Sequence, residues 1–169
     1  MTSYLYAIGL GSNRAGRAGR TPVAMLAAGL DTLDHDPLRL LDAAPISASK
    51  PVGPSRRSYA NCVALVASRE LPDAVLARLH EIEADFGRKR YRRWGERALD
   101  LDLILWSEGS FASNGAIVPH PEFRNRTFVL APLSRIAPDW CDPVTCLSVR
   151  QLLARLTHAK PVDRFGAPH

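Results

Sequence analysis

The sequence has few cysteines and no long apolar segment. Its three cysteines, Cys62, Cys141 and Cys146, are an odd number without the spacing of paired metal ligands, which argues against a disulfide framework or a zinc site. No apolar run approaches the roughly 20 residues needed to cross a bilayer, and the N-terminus lacks the basic and apolar regions of a secretory signal. We therefore expect a soluble protein of a reducing cytoplasm, without a membrane partner.

The composition also lacks a bias toward disorder. Hydrophobic residues make up 46% of the 169 residues and charged residues 23%, as in ordinary globular proteins. A chain of this length can bury a core without disulfides or structural metals, so we expect a single domain over residues 1–169. The formal charge of +5 favours anionic partners but does not distinguish nucleic acid, nucleotide, phosphorylated metabolite and membrane surface.

The hydrophobic pattern predicts both strands and helices. Strands are predicted at YLYAIGL, LRLLDAAPISAS, YANCVALVAS and LDLDLILW, with a turn at GSNRAGRAGR, a hairpin at SEGS and an irregular segment at VPHPEFRNRTFVLAPL. Helices are predicted after the capping residue Thr21, from Leu71 to the C-terminal signal at Gly87, and from Ser148 to Leu156. This irregular order indicates an α+β sandwich in which helices cover an antiparallel sheet.

Two carboxylates, Asp100 and Asp102, occupy alternate positions of the predicted strand LDLDLILW. Side chains alternate between the faces of a strand, so the two aspartates share one side and the leucines at positions 99, 101, 103 and 105 take the other. Carboxylates this close raise each other's pKa unless a cation lies between them. Oxygen ligands favour Mg²⁺ or Mn²⁺. A bare Asp-x-Asp is more often the polar face of an edge strand, so the neighbouring residues must decide.

A dense basic run precedes the two aspartates. It comprises Arg88, Lys89, Arg90, Arg92, Arg93 and Arg97. Such a run is commonly a solvated face, but guanidinium groups beside metal-binding carboxylates are the parts needed to bind and cleave a polyphosphate. Other phosphate motifs fail, because Arg17 and Ala18 stand where a Walker A loop needs lysine and a hydroxyl, and Arg14 does not complete a dinucleotide fingerprint.

Several ordered blocks then carry a resemblance to a known family. They are IGLGSN, PVGPSRRSYANCVAL, EIEADFGRKR, RWGERALDLDLIL and VPHPEFRNRTFVLAPL. In this order and spacing the chain resembles the 6-hydroxymethyl-7,8-dihydropterin pyrophosphokinases of folate biosynthesis. The resemblance implies a ferredoxin-like sandwich and attack of the pterin hydroxymethyl oxygen on the β-phosphorus of ATP, with release of AMP. It also implies two Mg²⁺ ions held by Asp100 and Asp102.

The resemblance further assigns roles to single residues. Those matching catalytic positions are Arg88, Trp94 and Arg97. Those matching pterin-binding positions are Ser49, Val52, Gly53, Tyr59, Asn61 and Phe128. Those matching ATP-binding positions are His80, Glu83, Arg90, Leu103, His120 and Arg126. The implied partners are ATP and a pterin bound by a monomer, without nucleic acid.

Three other readings remain open at this point. A nucleic-acid-binding module would explain the basic run with Tyr91 and Trp94, although Asp100 and Asp102 would repel phosphate without a metal. A metal-dependent nuclease or phosphoesterase would use the carboxylates but not the aromatic and amide residues. A family member with a changed substrate would explain departures such as His80, where many relatives carry glutamine.

Overall fold

The elements form an α+β arrangement. The computed structural model describes residues 3–13, 21–49, 59–87 and 98–158. The strands in these ranges are β1 (Tyr4–Ser12), β2 (Leu38–Ala43), β3 (Ser47–Ser49), β4 (Tyr59–Ser68), β5 (Asp100–Trp106), β6 (Phe111–Ser113) and β7 (Ala116–Val118). The helices are α1 (Pro22–Thr32), α2 (Pro72–Asp85), α3 (Thr127–Ile136) and α4 (Val149–Thr157). Among these helices, none has the length and apolar character needed to cross a membrane.

The main sheet is antiparallel, with strand order β2-β4-β1-β5. The short strand β3 pairs with β4 beside this path. The succession β1, α1, β2, β4, α2, β5 and the central position of β1 correspond to the ferredoxin-like βαββαβ unit. The predicted α+β sandwich is confirmed.

Apolar side chains cover both faces of this sheet. On the first face, α1 and α2 contribute Leu26, Val75, Leu79 and Ile82 to a core that includes Ile8 and Leu101. On the second face, α3 and α4 contribute Leu130, Leu133 and Leu152 to a core that includes Ala7 and Val63. The sheet is therefore the middle layer between two pairs of helices.

A register shift in β5 changes which of its leucines share a face. Between the pairings of Leu103 and Leu105 with β1, β5 holds one extra residue, Ile104, which forms a β-bulge. The leucines before the bulge lie in the first core, whereas Ile104 and Leu105 lie in the second. The prediction that all four leucines share one face is wrong for Leu105, because an inserted residue reverses the alternation.

The predicted helix ends are confirmed by capping interactions. The Thr21 hydroxyl accepts a hydrogen bond from the Ala24 amide at 3.2 Å before α1. Gly87, just beyond α2, has a φ of 90°, which glycine adopts without the strain of a Cβ atom. Ser148 and Gln151 form a reciprocal capping box at the start of α4.

Two predicted connections differ from the structure, and a third is present with a further hairpin after it. β1 continues through Gly9 and Gly11 to Ser12 instead of turning after Leu10. The segment predicted to be irregular contains α3. The sequence did not indicate this helix because Pro132, a residue unfavourable inside helices, lies within it. The SEGS turn is present as a bridge between Trp106 and Gly109, and a second hairpin follows at Asn114-Gly115, whose positive φ angles suit this dipeptide.

Candidate active site

Asp100 and Asp102 lie on the second face of the sheet, beyond the part that α3 and α4 cover. Asp100 pairs with Gly11 and Asp102 with Gly9 across the β1–β5 ladder. Directly paired residues share a face, and this is the face to which Ala7 and Val63 contribute core side chains. The predicted placement of both aspartates on one side of the strand therefore agrees with the register. The side chain of Asp102 is 37% exposed, so it is accessible to a ligand.

The two glycines of β1 form the floor between the aspartates and β4. Gly9 and Gly11 pair with Val63 and Asn61 on the other side of β1. A cavity of about 270 Å³ lies above them and is lined by Asp100, Asp102, Asn61, Arg126 and Phe128, among others. Because glycine has no side chain, the carboxylates and the Asn61 amide face one another across open space.

Arg126 and Phe128 enter this cavity from the start of α3. The Arg126 Nη1 donates a hydrogen bond to Asp102 Oδ2 at 3.2 Å. Its guanidinium carbon lies 5.8 Å from the centroid of the Phe128 ring, within the range of a cation–π contact. Phe128 is 52% exposed, which is unusual for a phenylalanine and leaves one ring surface available to a planar ligand.

His120 lies beside the carboxylates in a defined tautomer. Its Nδ1 accepts a hydrogen bond from the Glu122 amide at 3.1 Å, so the neutral ring carries its proton on Nε2, which lies 3.9 Å from Asp102 Oδ1. Burial lowers the pKa of His120 below its usual value, and the charge of Arg126 lowers it further, while Asp102 opposes both. His120 is therefore a neutral N–H donor near neutral pH.

A buried ion pair anchors the segment that carries His120 and Arg126. Arg124 donates from Nε and Nη2 to the two carboxylate oxygens of Asp142, both at 2.6 Å. Asp142 is fully buried and also accepts bonds from the amides of Val144 and Thr145. Burial alone would raise the pKa of Asp142, but the bonds from Arg124 and Thr145 outweigh it and lower the pKa. Sequence reasoning missed this residue, although Asp-Pro at 142–143 is a turn signal.

Two of the predicted pterin residues, Tyr59 and Asn61, lie on the same side of the sheet. Tyr59 and Asn61 are alternate residues of β4, so they share a face, and Asn61 lines the cavity opposite the aspartates. Tyr59 is 41% exposed and pairs with Ser49 of β3. The cavity lining thus includes the Asn61 amide and the Phe128 ring, and Tyr59 lies two residues from Asn61 on the same face of β4.

Three predicted ATP residues lie away from the cavity. The Leu103 side chain belongs to the first core and is 4% exposed, so only its backbone can meet a ligand. Glu83 is 1% exposed, and its Oε1 accepts a hydrogen bond from the Leu101 amide at 2.8 Å. His80 lies on α2, whose buried residues pack on the first face. Helix α2 and the cavity therefore lie on opposite faces of the sheet.

The remaining predicted residues lie outside the described part of the chain. They are Val52, Gly53, Arg88, Arg90, Trp94 and Arg97, together with the side chain of Ser49.

The donor set suits a hard divalent cation shared with a ligand. Within the described residues, no group of three or more His, Cys, Asp and Glu side chains could hold a metal by itself. Two carboxylates on one face are present at positions 100 and 102. Mg²⁺ is commonly held by one or two carboxylates, with water and substrate phosphates as its other ligands. The two carboxylates therefore suit a Mg²⁺ ion whose coordination is completed by water and by the oxygens of a phosphorylated substrate.

Comparison with known proteins identifies the family. The model of the 7,8-dihydro-6-hydroxymethylpterin-pyrophosphokinase family matches residues 7–138, which include all the cavity residues named above. The chain belongs to this family.

Individual pyrophosphokinases of the family extend this match. A protein of Haemophilus influenzae named 2-amino-4-hydroxy-6-hydroxymethyldihydropteridine pyrophosphokinase is 38% identical over 138 residues, which are 80% of this chain and 83% of that protein. A Synechocystis protein of the same name is 41% identical over 109 residues, which are 64% of this chain but only 55% of that protein.

Solved structures agree at the level of the fold. An HPPK–DHPS chain in complex with substrates superposes with a TM-score of 0.72 over 92% of this chain, at 11% sequence identity. A Plasmodium falciparum HPPK–DHPS chain gives a TM-score of 0.70 at 12% identity. This chain spans 43% and 45% of those two longer chains. At such low identity the likeness supports the fold of this pyrophosphokinase domain, not the role of any residue.

Proposed function

We propose that the protein transfers the pyrophosphoryl group of ATP to the hydroxymethyl oxygen of 6-hydroxymethyl-7,8-dihydropterin and releases AMP. The observation that carries this proposal is the juxtaposition of Asp100 and Asp102 with Asn61 and Phe128 across the glycine floor of one cavity. The relatives' names describe the same chemistry.

The pterin would bind on the β4 side of the cavity. A planar heterocycle is recognised by ring surfaces and by paired donors and acceptors at its edge. The exposed rings of Tyr59 and Phe128 would stack on it, and the Asn61 amide would read its edge. The hydroxymethyl group would then point toward the carboxylates.

The triphosphate would bind on the β5 side. Asp100 and Asp102 would hold Mg²⁺, two ions by the family resemblance, and these ions would neutralise phosphate oxygens. Arg126, already bonded to Asp102, would donate to a phosphate oxygen. The neutral His120 would donate from Nε2 without adding a charge. Arg88, Arg90, Arg97 and Trp94 are assigned to the same polyphosphate and its enclosure by resemblance alone.

The reaction would be an in-line displacement at the β-phosphorus. The hydroxymethyl oxygen would form a bond to this phosphorus and release its proton to solvent, while the bond to the α,β-bridging oxygen breaks and AMP departs with that oxygen. Such transfers depend on positioning and on charge stabilisation more than on covalent catalysis by the protein. The residues of the cavity supply both.

The test is a product assay with Mg²⁺, ATP and 6-hydroxymethyl-7,8-dihydropterin. The proposal expects AMP and the pterin diphosphate in equal amounts, and a requirement for the pterin. Formation of ADP would contradict it, and ATP hydrolysis without the pterin would favour the phosphoesterase alternative. Asp100→Asn and Asp102→Asn should each lower kcat by about 10²- to 10³-fold. The control is Glu81→Gln, since the Glu81 side chain on α2 is 65% exposed.

A further inference from the structure

Glu83 is a carboxylate buried beneath the strand that carries the two aspartates. It is 1% exposed, and glutamate is almost never fully buried unless it has partners. Its Oε1 accepts a hydrogen bond of 2.8 Å from the amide of Leu101, the residue between Asp100 and Asp102.

This hydrogen bond supplies an acceptor for a backbone amide at the edge of the sheet. β5 is the outermost strand of the main sheet in the described residues, so amides on its outer edge have no neighbouring strand to accept their hydrogen bonds. Helix α2 supplies that acceptor through Glu83. On the other side of Asp102, the Ile104 carbonyl accepts a bond of 2.9 Å from the His120 amide. The strand is thus fixed both before and after Asp102.

We propose that Glu83 is a positioning residue that holds β5 so that Asp100 and Asp102 both face the cavity, and that it is not a nucleotide ligand. The peptide unit is planar, so fixing the Leu101 N–H fixes the plane that joins Asp100 to Leu101. This inference rests on the proposed function, because it assigns the two carboxylates to a divalent cation and a triphosphate.

Two conservative variants distinguish the effect of the length of the Glu83 side chain from the effect of its charge. Glu83→Gln keeps an oxygen at the position of Oε1 and removes the charge, whereas Glu83→Asp keeps the charge but shortens the side chain by one methylene. Positioning through the Leu101 amide predicts that Glu83→Gln resembles the wild type. It predicts that Glu83→Asp weakens metal binding by about 10- to 100-fold, the usual effect of losing a partner that orients a metal ligand.

The measurement is the affinity for Mn²⁺ in the presence of α,β-methylene ATP, followed by paramagnetic relaxation without turnover. Hydrogen exchange at the Leu101 amide provides a second readout, and it should accelerate in Glu83→Asp but not in Glu83→Gln. Glu81→Asp, on the solvent side of the same helix, is the matched control and should change neither quantity.

The outcomes distinguish this inference from the proposed function. If the wild type itself does not bind Mn²⁺ with the analogue, the proposed function fails. If the wild type binds it and Glu83→Asp binds equally well, only the positioning role fails. The role is also overturned if Glu83→Gln is the weaker variant. The role is likewise overturned if Glu83→Asp weakens the binding of the metal-free analogue as much as the binding of its Mn²⁺ complex. The first result would indicate that the negative charge of Glu83 is needed, and the second would indicate that Glu83 contacts the nucleotide directly.

Discussion

Replacing Gly11 by alanine should stabilise the fold while impairing the reaction. Among the described residues, a Cβ atom at this position would meet only Asn61 Oδ1, at 3.6 Å, which is ordinary van der Waals contact. The same atom would extend from the floor of the cavity between Asn61 and Asp100, where the proposal places substrate. The two effects therefore have opposite signs.

The magnitudes follow from the strand geometry. Gly11 lies within β1 and has no positive φ, so alanine adopts the same backbone and restricts the unfolded chain. This gain amounts to about 0.4–1 kcal/mol, or a rise in Tm of roughly 1–4 °C for a chain of this size. A methyl group that displaces the reacting groups by about 1 Å should lower kcat/KM on the order of 10²-fold.

Thermal unfolding and steady-state kinetics on the same sample test both effects. The comparison is Gly9→Ala, whose Cβ would lie 3.3 Å from Ile104 Cδ1, closer than a relaxed contact. This variant should lose stability, because overpacking costs about 1–3 kcal/mol. Wild-type kcat/KM in Gly11→Ala would show that substrate does not occupy the floor, and a lower Tm would contradict the strand geometry.

Three further predictions concern the carboxylates and thiols. Asp102→Asn should lower kcat by about 10²- to 10³-fold with little change in Tm, since its side chain is partly exposed. Asp142→Asn should cost about 3–5 kcal/mol in unfolding free energy, because it breaks a buried ion pair. The lowered pKa of Asp142 means that its stabilisation is present above its unfolded pKa and lost as the pH falls, so the variant should show a flatter decline of stability in acid. A thiol reagent should modify exposed Cys141 and Cys146 but not Cys62, whose pKa burial raises to about 11.

Each of these has a result that contradicts it. Turnover in Asp102→Asn at the wild-type rate would contradict the assignment of Asp102 as a metal ligand. If the stability of Asp142→Asn declines in acid in parallel with that of the wild type, this carboxylate does not account for the loss of stability at low pH. Modification of all three thiols in the native protein would contradict the burial of Cys62, and the denatured protein supplies the full count for comparison.

Local signals in the sequence were sufficient for much of the fold and the centre of the site. Alternation of side chains along a strand predicted that Asp100 and Asp102 share a face, and the register with Gly11 and Gly9 agrees. The capping residue Thr21 predicted the start of α1, and the C-terminal signal at Gly87 predicted the end of α2. These features depend on residues a few positions apart, so they can be recognised without knowing the tertiary structure.

Features that depend on distant residues could not be predicted in this way. The bulge at Ile104 appears only when β5 is paired with β1. Arg124 and Asp142 are 18 residues apart, as are Glu83 and the Leu101 amide. Family resemblance assigned Glu83 to the nucleotide, whereas its burial and its bond to β5 favour the positioning role proposed above.

The location of the cavity follows from how far the helices cover the second face of the sheet. Along β1, β4 and β5 this face is apolar at Ala7, Val63 and Leu105, where α3 and α4 pack against it. Toward the other end the same face presents glycines, an amide and two carboxylates instead. Carboxylates beneath a packed helix would be costly to bury, whereas beside the start of α3 Asp102 accepts a hydrogen bond from Arg126 and both aspartates are partly exposed. One half of this face thus supports a core and the other half forms the open cavity to which the proposal assigns the ligands, with Arg126 and Phe128 at the boundary.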